Sequence, residues 1–326
     1  MLKIGVLGVG HLGKIHLKCI QLLKDTYELV GFYDPNEQNA QRAIEQYQIK
    51  RFDDLDALVK AVDVIDIVTP TTTHFQLAKF VIGKGKHVFI EKPLTHTLEE
   101  AYALKELANN HDIKIQVGHV ERFNPALLAL ESTTIQPLFI EAHRLATFNP
   151  RGTDVSVVLD LMIHDLDIVL DMVDANIEKV SASGVAIVSP TSDICNARIE
   201  FDNGCVANIT ASRLSMKQMR KIRLFQRDAY ISLDFLEKKT EIVKISDVDE
   251  AQPPAMTIQT ASGKKAIQIN MPQIQPVNAI KLELETFADC ILQNKTPKVT
   301  IEDGYKALEL AYQIMEDIER RNLKLQ

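Results

Sequence analysis

The stretch Gly8-Val9-Gly10-His11-Leu12-Gly13 decides the fold of the first part of the chain. It follows a short β-branched run, Ile4–Val9, and opens a segment with helical spacing, His11–Lys24. In that setting the first glycine allows a tight turn, the second lets a pyrophosphate approach the backbone, and the third lets helix and strand pack closely. The amides of His11 and Leu12 then lie at a helix N-terminus, which suits anionic oxygens. A plain glycine turn is the alternative, and it would not need this strand and helix on either side.

Short apolar strands and helical segments alternate outward from this loop through residues 1–120. The later strands are at Glu28–Tyr33, Asp63–Thr69, His87–Ile90 and Ile113–Val117. This alternation predicts parallel βαβ units with helices on both faces, which make a doubly wound Rossmann sheet. Apolar spacing along the first helix predicts that its buried side carries Leu12, Ile15, Cys19, Leu22 and Leu23.

The second half of the sequence changes character. A long helix at Val155–Asp174 is followed by strands joined by tight turns such as Asp202-Asn203-Gly204, which predicts a largely antiparallel sheet. The polar stretch Asp247–Gln259, which holds Pro253-Pro254, is predicted to be a loop. Two helices end the chain, and we expect them to pack back on the N-terminal domain. The fold class predicted is α/β, with a dinucleotide-binding domain at 1–120 and a substrate and oligomerisation domain at 121–326.

Length and composition agree with two globular domains. The 326 residues are 46% hydrophobic and 25% charged, which excludes a disordered tail, a fibrous repeat and a small disulfide scaffold. The net charge of −7 does not favour nucleic acid or an anionic membrane as partner. There is no run of about 18 apolar residues, so no transmembrane helix is predicted. The four scattered cysteines predict free thiols in a reducing cytoplasm, and the first residues suggest a strand and not a signal peptide.

Asp34 ends the second strand, 21 residues after Gly13. A carboxylate there accepts hydrogen bonds from the adenosine ribose and repels a 2′-phosphate, which favours NAD over NADP. Asp34 could instead cap the following helix, and one residue can do both. Because parallel strands bring their carboxyl ends to one edge, the polar and glycine residues that follow the five strands predict a single ligand crevice. These ends carry Gly8–Gly13, Asp34, Thr69-Pro70-Thr71, Glu91-Lys92-Pro93 and Gly118–Arg122.

Lys92 stands directly after an apolar strand and before Pro93, so its side chain has little freedom. We expect it to point into the crevice near the nicotinamide, where it suits acid–base work. A solvated surface charge is the ordinary alternative for a lysine. Glu91 is expected to orient Lys92 or to contact the ribose.

One polar stripe runs along the otherwise apolar helix Val155–Asp174. Its members, spaced i, i+4, i+7 and i+11, fall within ~60° of the helix circumference. They are Asp160, His164, Asp167 and Asp171. An Asp one turn before a His can hydrogen-bond the imidazole and hold its charge, so Asp160 and His164 are predicted to form an acid–base pair. The later aspartates are predicted to face water, and these are Asp167, Asp171 and Asp174.

Other chemistries find little support in the sequence. The histidines show no zinc-binding spacing, so no metal is predicted. A serine nucleophile is not predicted either, because no Gly-x-Ser-x-Gly elbow is present.

Together these residues resemble the Gfo/Idh/MocA oxidoreductase family. The resemblance is carried by the glycine loop, Thr69-Pro70 with His74, Glu91-Lys92-Pro93 and Asp160-x-x-x-His164. It implies a Rossmann domain and a C-terminal α/β domain with an open, mostly antiparallel sheet, whose outer face commonly forms the dimer or tetramer contact. It also implies a cis Lys92–Pro93 bond. The predicted cofactor-binding residues are Gly8, Gly10, His11, Leu12, Gly13, Asp34, Thr69, Pro70, Thr71, His74, Glu91 and Lys92.

Two stretches, Gly118–Pro125 and Val158–Asp167, resemble the branch of this family that oxidises nucleotide-activated amino sugars. The expected reaction is NAD-dependent oxidation of the C3 hydroxyl of a UDP-N-acetylglucosamine-like sugar, and the related branch that acts on the uronic acid form is the near alternative. The hydroxyl proton goes to His164 or to Lys92, which spacing does not decide, and Asp160 steadies the pair. The predicted substrate contacts are Arg122, Asn124 and Arg144, since arginine suits a pyrophosphate.

Three further alternatives stay open at this point, and a homodimer or homotetramer is expected for any of them. The first is a cyclitol or simple sugar dehydrogenase. The second is an aldose–aldose oxidoreductase with nested NAD. The third is a dinucleotide-sensing regulator without activity, which Lys92, Asp160 and His164 disfavour because a sensor would not need them.

Overall fold

The computed structural model of the protein describes residues 1–149, 155–248, 256–261 and 263–323. The chain divides into two compact units. The first consists of Met1–Phe123 and Asn278–Glu309, and the second of Asn124–Val277 and Leu310–Gln326. Each unit is therefore assembled from two separate pieces of sequence. In the residues described, no helix is both long and apolar enough to cross a membrane.

The first unit is built on a parallel sheet with the strand order β2-β1-β3-β4-β5. Its strands are β1 (Leu2–Leu7), β2 (Tyr27–Tyr33), β3 (Val64–Ile67), β4 (His87–Glu91) and β5 (Ile115–Gly118). Its helices are α1 (His11–Gln21), α2 (Glu37–Tyr47), α3 (Leu55–Ala61), α4 (Thr71–Gly83), α5 (Leu98–Ala108) and α8 (Ala279–Leu292). A 3₁₀ turn covers Val120–Phe123. Every neighbouring pair of strands is parallel, which confirms the predicted doubly wound sheet.

The sheet order fixes where a ligand can bind. From β1 the chain proceeds to β2 on one side and to β3 on the other, so the direction of winding reverses between β1 and β3. Ligands of such sheets bind outside the carboxyl ends of the strands at this reversal. The glycine loop after β1 and the Thr69 loop after β3 lie at that point.

Helix α1 buries only part of the side predicted. Its buried residues are Gly13, His16, Leu17, Cys19 and Ile20. Of the predicted side, Leu12, Ile15 and Leu22 are 36%, 37% and 58% exposed. Cys19 and Leu23 of that side are buried, so the prediction is confirmed for these two. It was wrong for the other three because it counted apolar residues only, whereas the buried side is centred on a histidine with charged partners inside the unit.

The second unit is built on a sheet whose described strands follow the order β13-β14-β12-β11-β10-β6-β9-β8-β7. Its strands are β6 (Phe139–Leu145), β7 (Ile177–Val185), β8 (Ile194–Phe201), β9 (Val206–Ser212), β10 (Met219–Phe225), β11 (Ala229–Asp234), β12 (Lys239–Asp247), β13 (Met256–Thr260) and β14 (Gly263–Asn270). Neighbouring strands are antiparallel apart from β6 and β9, which confirms the predicted mostly antiparallel sheet.

Two details of this sheet bear on the predictions. Asp202-Asn203-Gly204 forms the predicted hairpin turn, where Gly204 has a φ of +84° and donates its N–H to Phe201 O at 2.9 Å. The loop predicted at Asp247–Gln259 is wrong for its last residues, because Met256–Thr260 pairs with β14 as a strand. Its first residue, Asp247, ends β12, and residues 249–255, including Pro253-Pro254, lie outside the described residues.

Helices cover the apolar core of the second unit. They are α6 (Pro125–Leu128), a π-helical turn at Val158–Met162 that continues into α7 (Ile163–Met172), and the later part of α9 (Ile301–Asn322). Alternate residues of the strands, such as Ile140 and Ala142 on β6, are fully buried in the same apolar cluster as Val158, Leu166 and Ile314. Period-two burial of this kind is expected for a sheet with one face on the core.

Candidate active site

The glycine loop has the geometry of a phosphate cradle. Gly8 has a φ of +88°, which favours glycine, and a Cβ on it would lie 2.7 Å from Val68 O at the end of β3. A Cβ on Gly13 would clash with the carbonyl oxygen of Gly8, so the start of α1 packs tightly on the loop. A Cβ on Gly10, in contrast, would meet no protein atom within 4 Å. The space in front of Gly10 is therefore open to a ligand.

The N-terminus of α1 is left available to an anion. Gly10 occupies the N-cap position and supplies no side-chain oxygen, and the first turn of the helix holds no acidic residue. The first amides of a helix need acceptors from outside it. The loop thus fits the pyrophosphate of a dinucleotide, which brings both the negative charge and the oxygens.

The Asp34 carboxylate connects this loop to the end of β2. Its Oδ2 accepts the Val9 N–H at 2.8 Å and its Oδ1 accepts the Asn36 N–H at 2.8 Å. The cap of α2 is Asn36, whose Oδ1 accepts the N–H of Asn39 at 3.0 Å. Each Asp34 oxygen has a second lone pair for a ribose hydroxyl. Asp34 therefore fixes the loop and can still bind the cofactor.

Arg51 lies near Asp34 in space, although it is distant in sequence. Its Nη2 is 3.4 Å from Asp34 O, and its Nη1 pairs with Glu37 at 2.7 Å. No Arg or Lys is adjacent to Asp34 in sequence, so this guanidinium could not be expected from the residues that follow Asp34. The pairing of Arg51 with Glu37 leaves the sequence argument for NAD over NADP standing as a prediction.

His74 joins the ends of β3 and β4. Its Nε2 lies 2.9 Å from Thr69 O and its Nδ1 lies 3.0 Å from Pro93 O. Burial lowers the pKa of His74, so the ring is neutral and donates its single N–H to one of the two carbonyls. The loops that carry Thr69-Pro70-Thr71 and Lys92-Pro93 are tied together in this way.

Lys92 follows β4 as predicted and is half-buried. Its backbone N–H donates to Glu91 Oε2 at 3.2 Å, and the Lys92–Pro93 peptide bond is cis. The Glu91 side chain is 6% exposed. The predicted ligand edge of the first unit is thereby assembled from the loops after β1, β2, β3 and β4.

In the second unit, Asp160 and His164 are both half-buried. Asp160 lies inside the π-helical turn and His164 in the first turn of α7. Such π turns occur often at functional sites. The π turn changes the angle between successive residues, so the two side chains need not lie on one stripe as they would in a uniform α-helix. Their predicted pairing stays a prediction.

The outward direction predicted for the later aspartates holds only in part. Asp171 and Asp174 are exposed, but Asp167 is 1% exposed, so that prediction was wrong. The reason is that α7 is buried on nearly every side, with Asp165 and Ile168 also within the protein interior.

The three predicted substrate contacts have structural partners. Arg144 on β6 forms a bidentate ion pair with Asp165, with Nε–Oδ2 at 3.0 Å and Nη2–Oδ1 at 2.7 Å. Asn124 caps α6 with its Oδ1 and donates its Nδ2–H to Phe235 O at 3.1 Å. Arg122 is 3% exposed within the 3₁₀ turn. Arg144 thus holds the residue next to His164 in place.

Sequence reasoning missed a group of buried ionisable residues in the first unit. His16, Asp66 and Glu283 are all fully buried. Among the residues described, His16, Glu91 and Glu283 each offer a metal-ligand atom, and these atoms lie within 4.8 Å of one another. The signal that could have found the group is Asp66, a carboxylate within the apolar strand Val64-Ile65-Asp66-Ile67.

Comparison with known families matches both halves of the chain. The family described as "Oxidoreductase family, NAD-binding Rossmann fold" matches residues 2–119. The family described as "GFO/IDH/MocA C-terminal domain" matches residues 130–231.

Similar proteins span nearly the whole chain. UDP-N-acetylglucosamine 3-dehydrogenase of Acidithiobacillus ferrooxidans is 34% identical over 98% of this chain and 97% of its own length. Its solved structure superposes with a TM-score of 0.87 at 33% identity, covering 98% of both chains. scyllo-Inositol 2-dehydrogenase (NAD(+)) of Bacillus subtilis is 29% identical over 94% of this chain and 90% of its own length. The apo scyllo-inositol dehydrogenase of Lactobacillus casei shares the fold, with a TM-score of 0.78 at 22% identity over 98% of this chain and 97% of that one.

Proposed function

The chain belongs to the GFO/IDH/MocA oxidoreductase family, and we propose that it oxidises the C3 hydroxyl of a nucleotide-activated amino sugar, UDP-N-acetylglucosamine or a close relative. The observation that carries this proposal is the similarity along nearly the entire chain to a UDP-N-acetylglucosamine 3-dehydrogenase. The glycine loop, Asp34, Lys92 and His164 supply the residue types that such a reaction needs.

The residues of the first unit fit NAD. The open space at Gly10, the uncapped start of α1 and the spare lone pairs of Asp34 would hold its pyrophosphate and adenosine ribose. NAD, when bound, accepts the hydride from the sugar carbon. The protein contributes the orientation of both partners and the removal of the hydroxyl proton.

We assign the proton transfer to Lys92 and His164. Oxidation of an alcohol releases its hydroxyl proton, and a positioned base favours the developing alkoxide. Either nitrogen can take that proton, and separate variants of the two residues decide which one does. Asp160 is assigned to hold the charge of His164, and the Arg144–Asp165 ion pair to fix the helix from which His164 projects.

Of the three predicted substrate contacts, Arg122 and Asn124 are assigned to substrate binding on chemical grounds. A guanidinium donates paired hydrogen bonds to a diphosphate, which is the part of a nucleotide sugar that free sugars lack. The Arg144 fork is engaged by Asp165, so we assign it an indirect role in positioning.

A cyclitol dehydrogenase is the second candidate. It is favoured by the similarity to the scyllo-inositol 2-dehydrogenase of Bacillus subtilis over most of the chain. The two candidates share the cofactor and the acid–base residues and differ in the substrate alone.

A substrate screen separates these candidates. The purified protein is incubated with NAD and, in parallel, with UDP-N-acetylglucosamine, its uronic acid form, free hexoses and inositols, and the appearance of NADH is followed by absorbance. We expect turnover with a nucleotide amino sugar and a 3-keto product by mass spectrometry. Turnover with inositols alone would replace the first candidate by the second, and NADH binding without any turnover would favour a regulator.

We further propose that the chain assembles as a homodimer or homotetramer and works in the cytoplasm. The four thiols are free, and burial raises the pKa of Cys195 to about 12 and that of Cys205 to about 11, so these two stay protonated and suit a reducing compartment. Light scattering after size-exclusion chromatography measures the assembly size.

A further inference from the structure

Four ionisable side chains from four elements meet inside the first unit. They are His16 on α1, Asp66 on β3, Glu91 at the end of β4 and Glu283 on α8. The first two and Glu283 are fully buried, and Glu91 is 6% exposed. Burying charges in this way is costly unless they compensate one another. Of this group, only Glu91 has a predicted role, which is to orient Lys92 or to contact the ribose, so the other three need an explanation.

The contacts of His16 fix the charge of its ring. Its Nδ1 lies 2.9 Å from Asp66 Oδ2, and its Nε2 lies 3.0 Å from Glu91 Oε1. A neutral imidazole has one N–H, so one nitrogen would turn a lone pair toward a carboxylate oxygen. The imidazolium is attracted by both carboxylates: Nδ1 is hydrogen-bonded to Asp66, while Nε2 forms an ion pair with Glu91 without the alignment of a hydrogen bond.

The electrostatic balance agrees with that assignment. Burial is the largest single influence and opposes the charge, yet the attraction of Asp66 and Glu91, with the hydrogen bond to Asp66, raises the pKa of His16 well above its usual value. Burial also raises the pKa of Asp66, and the imidazolium beside it works against that rise.

Glu283 completes the balance by keeping its proton. Burial raises its pKa well above the usual value, and the charge of Glu91 adds to the effect. Neither of its carboxyl oxygens has a hydrogen-bond partner in the described part of the chain. With Glu283 protonated, Asp66 and Glu91 are the carboxylates that face the His16 ring.

Glu91 connects this buried group to the candidate base. Its Oε1 contacts His16, and its Oε2 accepts the backbone N–H of Lys92 at 3.2 Å. A Cβ on Gly118 of β5 would lie 2.9 Å from Glu91 Cδ, so the carboxylate is packed against the neighbouring strand as well. The position of the Glu91 carboxylate, and with it the backbone of Lys92, is determined from three directions.

We propose that His16 is a positioning residue of the dehydrogenase: its imidazolium, held by Asp66, fixes the Glu91 carboxylate, which in turn fixes the backbone from which Lys92 reaches the substrate. This inference rests on the proposed role of Lys92 in proton transfer. It predicts that His16 affects turnover through Glu91 and not by a path of its own. A divalent cation bound by His16, Glu91 and Glu283 is the competing occupant of this group.

The charge of His16 is tested without any substrate. Histidine-labelled protein is examined by NMR at pH 8, with the His16 signals assigned by their loss in H16Q. We expect imidazolium shifts, although an ordinary histidine with a pKa near 6.5 is neutral at this pH. A neutral ring overturns the proposal, as does a stoichiometric metal in the purified protein whose removal shifts the His16 signals.

A double-mutant cycle tests the path through Glu91, using the alcohol that the wild-type enzyme oxidises fastest. We expect H16Q to lower kcat about tenfold or more with little change in the KM of the alcohol. In the double variant H16Q/E91Q, kcat should stay within about twofold of E91Q alone, because a shared path is not additive. The matched control is H111Q on a half-exposed histidine, which should keep the wild-type kcat.

The outcomes of the cycle are distinct from a failure of the proposed function. Wild-type kcat in H16Q, or fold losses that multiply in the double variant, overturn the inference while leaving the dehydrogenase assignment intact. A wild-type enzyme that oxidises nothing in the panel overturns the proposed function, and this inference with it. If H16Q does not fold, D66N keeps the ring and removes one anion, so kcat and the pH at which His16 loses its proton should both fall.

Discussion

The pKa values of two buried histidines in the first unit shift in opposite directions because their neighbours differ. His16 faces two carboxylates, whose attraction outweighs the effect of burial on its pKa. His74 faces two backbone carbonyls, which stabilise a proton less, and burial lowers its pKa. Residue type alone therefore does not determine protonation inside this sheet. The same reasoning makes the surroundings of Lys92 and His164 decisive for their roles.

At the residue scale, we expect K92A and H164A each to lower kcat by about 10²–10⁴-fold, the usual contribution of a general acid or base. The residue that acts as the primary base gives the larger loss. The measurement is steady-state NADH formation with the substrate found in the screen. The exposed lysine variant K24A serves as the control and should match wild type.

These two variants must also keep their fold, which circular dichroism and NADH fluorescence report. Near-normal turnover in both K92A and H164A would contradict the acid–base assignment. A loss confined to KM would instead assign the affected residue to substrate binding.

At the element scale, the turn between β1 and α1 has one glycine that ligand binding needs and another that folding needs. The two glycines Gly10 and Gly13 differ in what a methyl group would meet: open space at the first and the Gly8 carbonyl oxygen at the second. Glycine at position 10 therefore leaves room for a ligand, and glycine at position 13 allows the start of α1 to pack on the loop.

We predict that G10A leaves the free energy of unfolding within about 0.5 kcal/mol of wild type but weakens NADH binding about tenfold or more. The added methyl group occupies the space into which the pyrophosphate must come. NADH titration by fluorescence and urea unfolding measure the two effects. G13A is the matched comparison and should lose stability; equal NADH affinity in G10A and wild type would refute the cradle.

Element type could be predicted from this sequence more fully than burial. Alternation of apolar strands and helices was enough to predict the parallel sheet, and turn residues to predict the antiparallel one. The buried side of α1 could not be predicted by apolar spacing, since it is centred on His16, whose partners come from 50 residues and more away in sequence. The π turn at Val158–Met162 likewise has no mark in the local apolar pattern.

The candidate site, too, could be predicted from the sequence only in part. Gly8–Gly13, Asp34 and Glu91-Lys92 could be placed because the edge of a parallel sheet is fixed by topology. The engagement of Arg144 with Asp165, and the burial of Asp167, depend on contacts between elements that spacing does not encode.

At the scale of the whole molecule, the buried charges make stability depend on pH. The folded pKa of His16 is above its unfolded value near 6.5, so its contribution is complete below pH 6.5 and is lost as the pH rises through the folded pKa. We expect the free energy of unfolding to fall above pH 6.5, with a slope of up to about 1.4 kcal/mol per pH unit from this residue. Urea unfolding between pH 6.5 and 9, followed by circular dichroism, measures it.

The variant H16Q should show a shallower slope over this range, and H111Q should keep the wild-type slope. An identical slope in H16Q and wild type would contradict a raised pKa of His16. Loss of the slope in H111Q, with the slope kept in H16Q, would show that His111 is responsible.

The two-piece construction of the first unit gives another prediction. Helix α8 supplies Leu284, Phe287 and Ala288 to the same apolar cluster as β1, and Tyr27 Oη donates to Leu284 O at 2.8 Å. Residues 1–123 alone should therefore not fold cooperatively. A fusion of 1–123 to 278–309 through a flexible linker should restore a cooperative transition and NADH binding, and a folded 1–123 fragment would contradict this.

The same construction bears on how the protein is made. A ribosome releases β1 to β5 first and must add residues 124–277 before α8 emerges, which takes on the order of ten seconds at ordinary elongation rates. During that interval the nascent sheet has one hydrophobic side without its covering helix. Folding of the first unit can therefore be completed only after α8 has left the ribosome, late in synthesis.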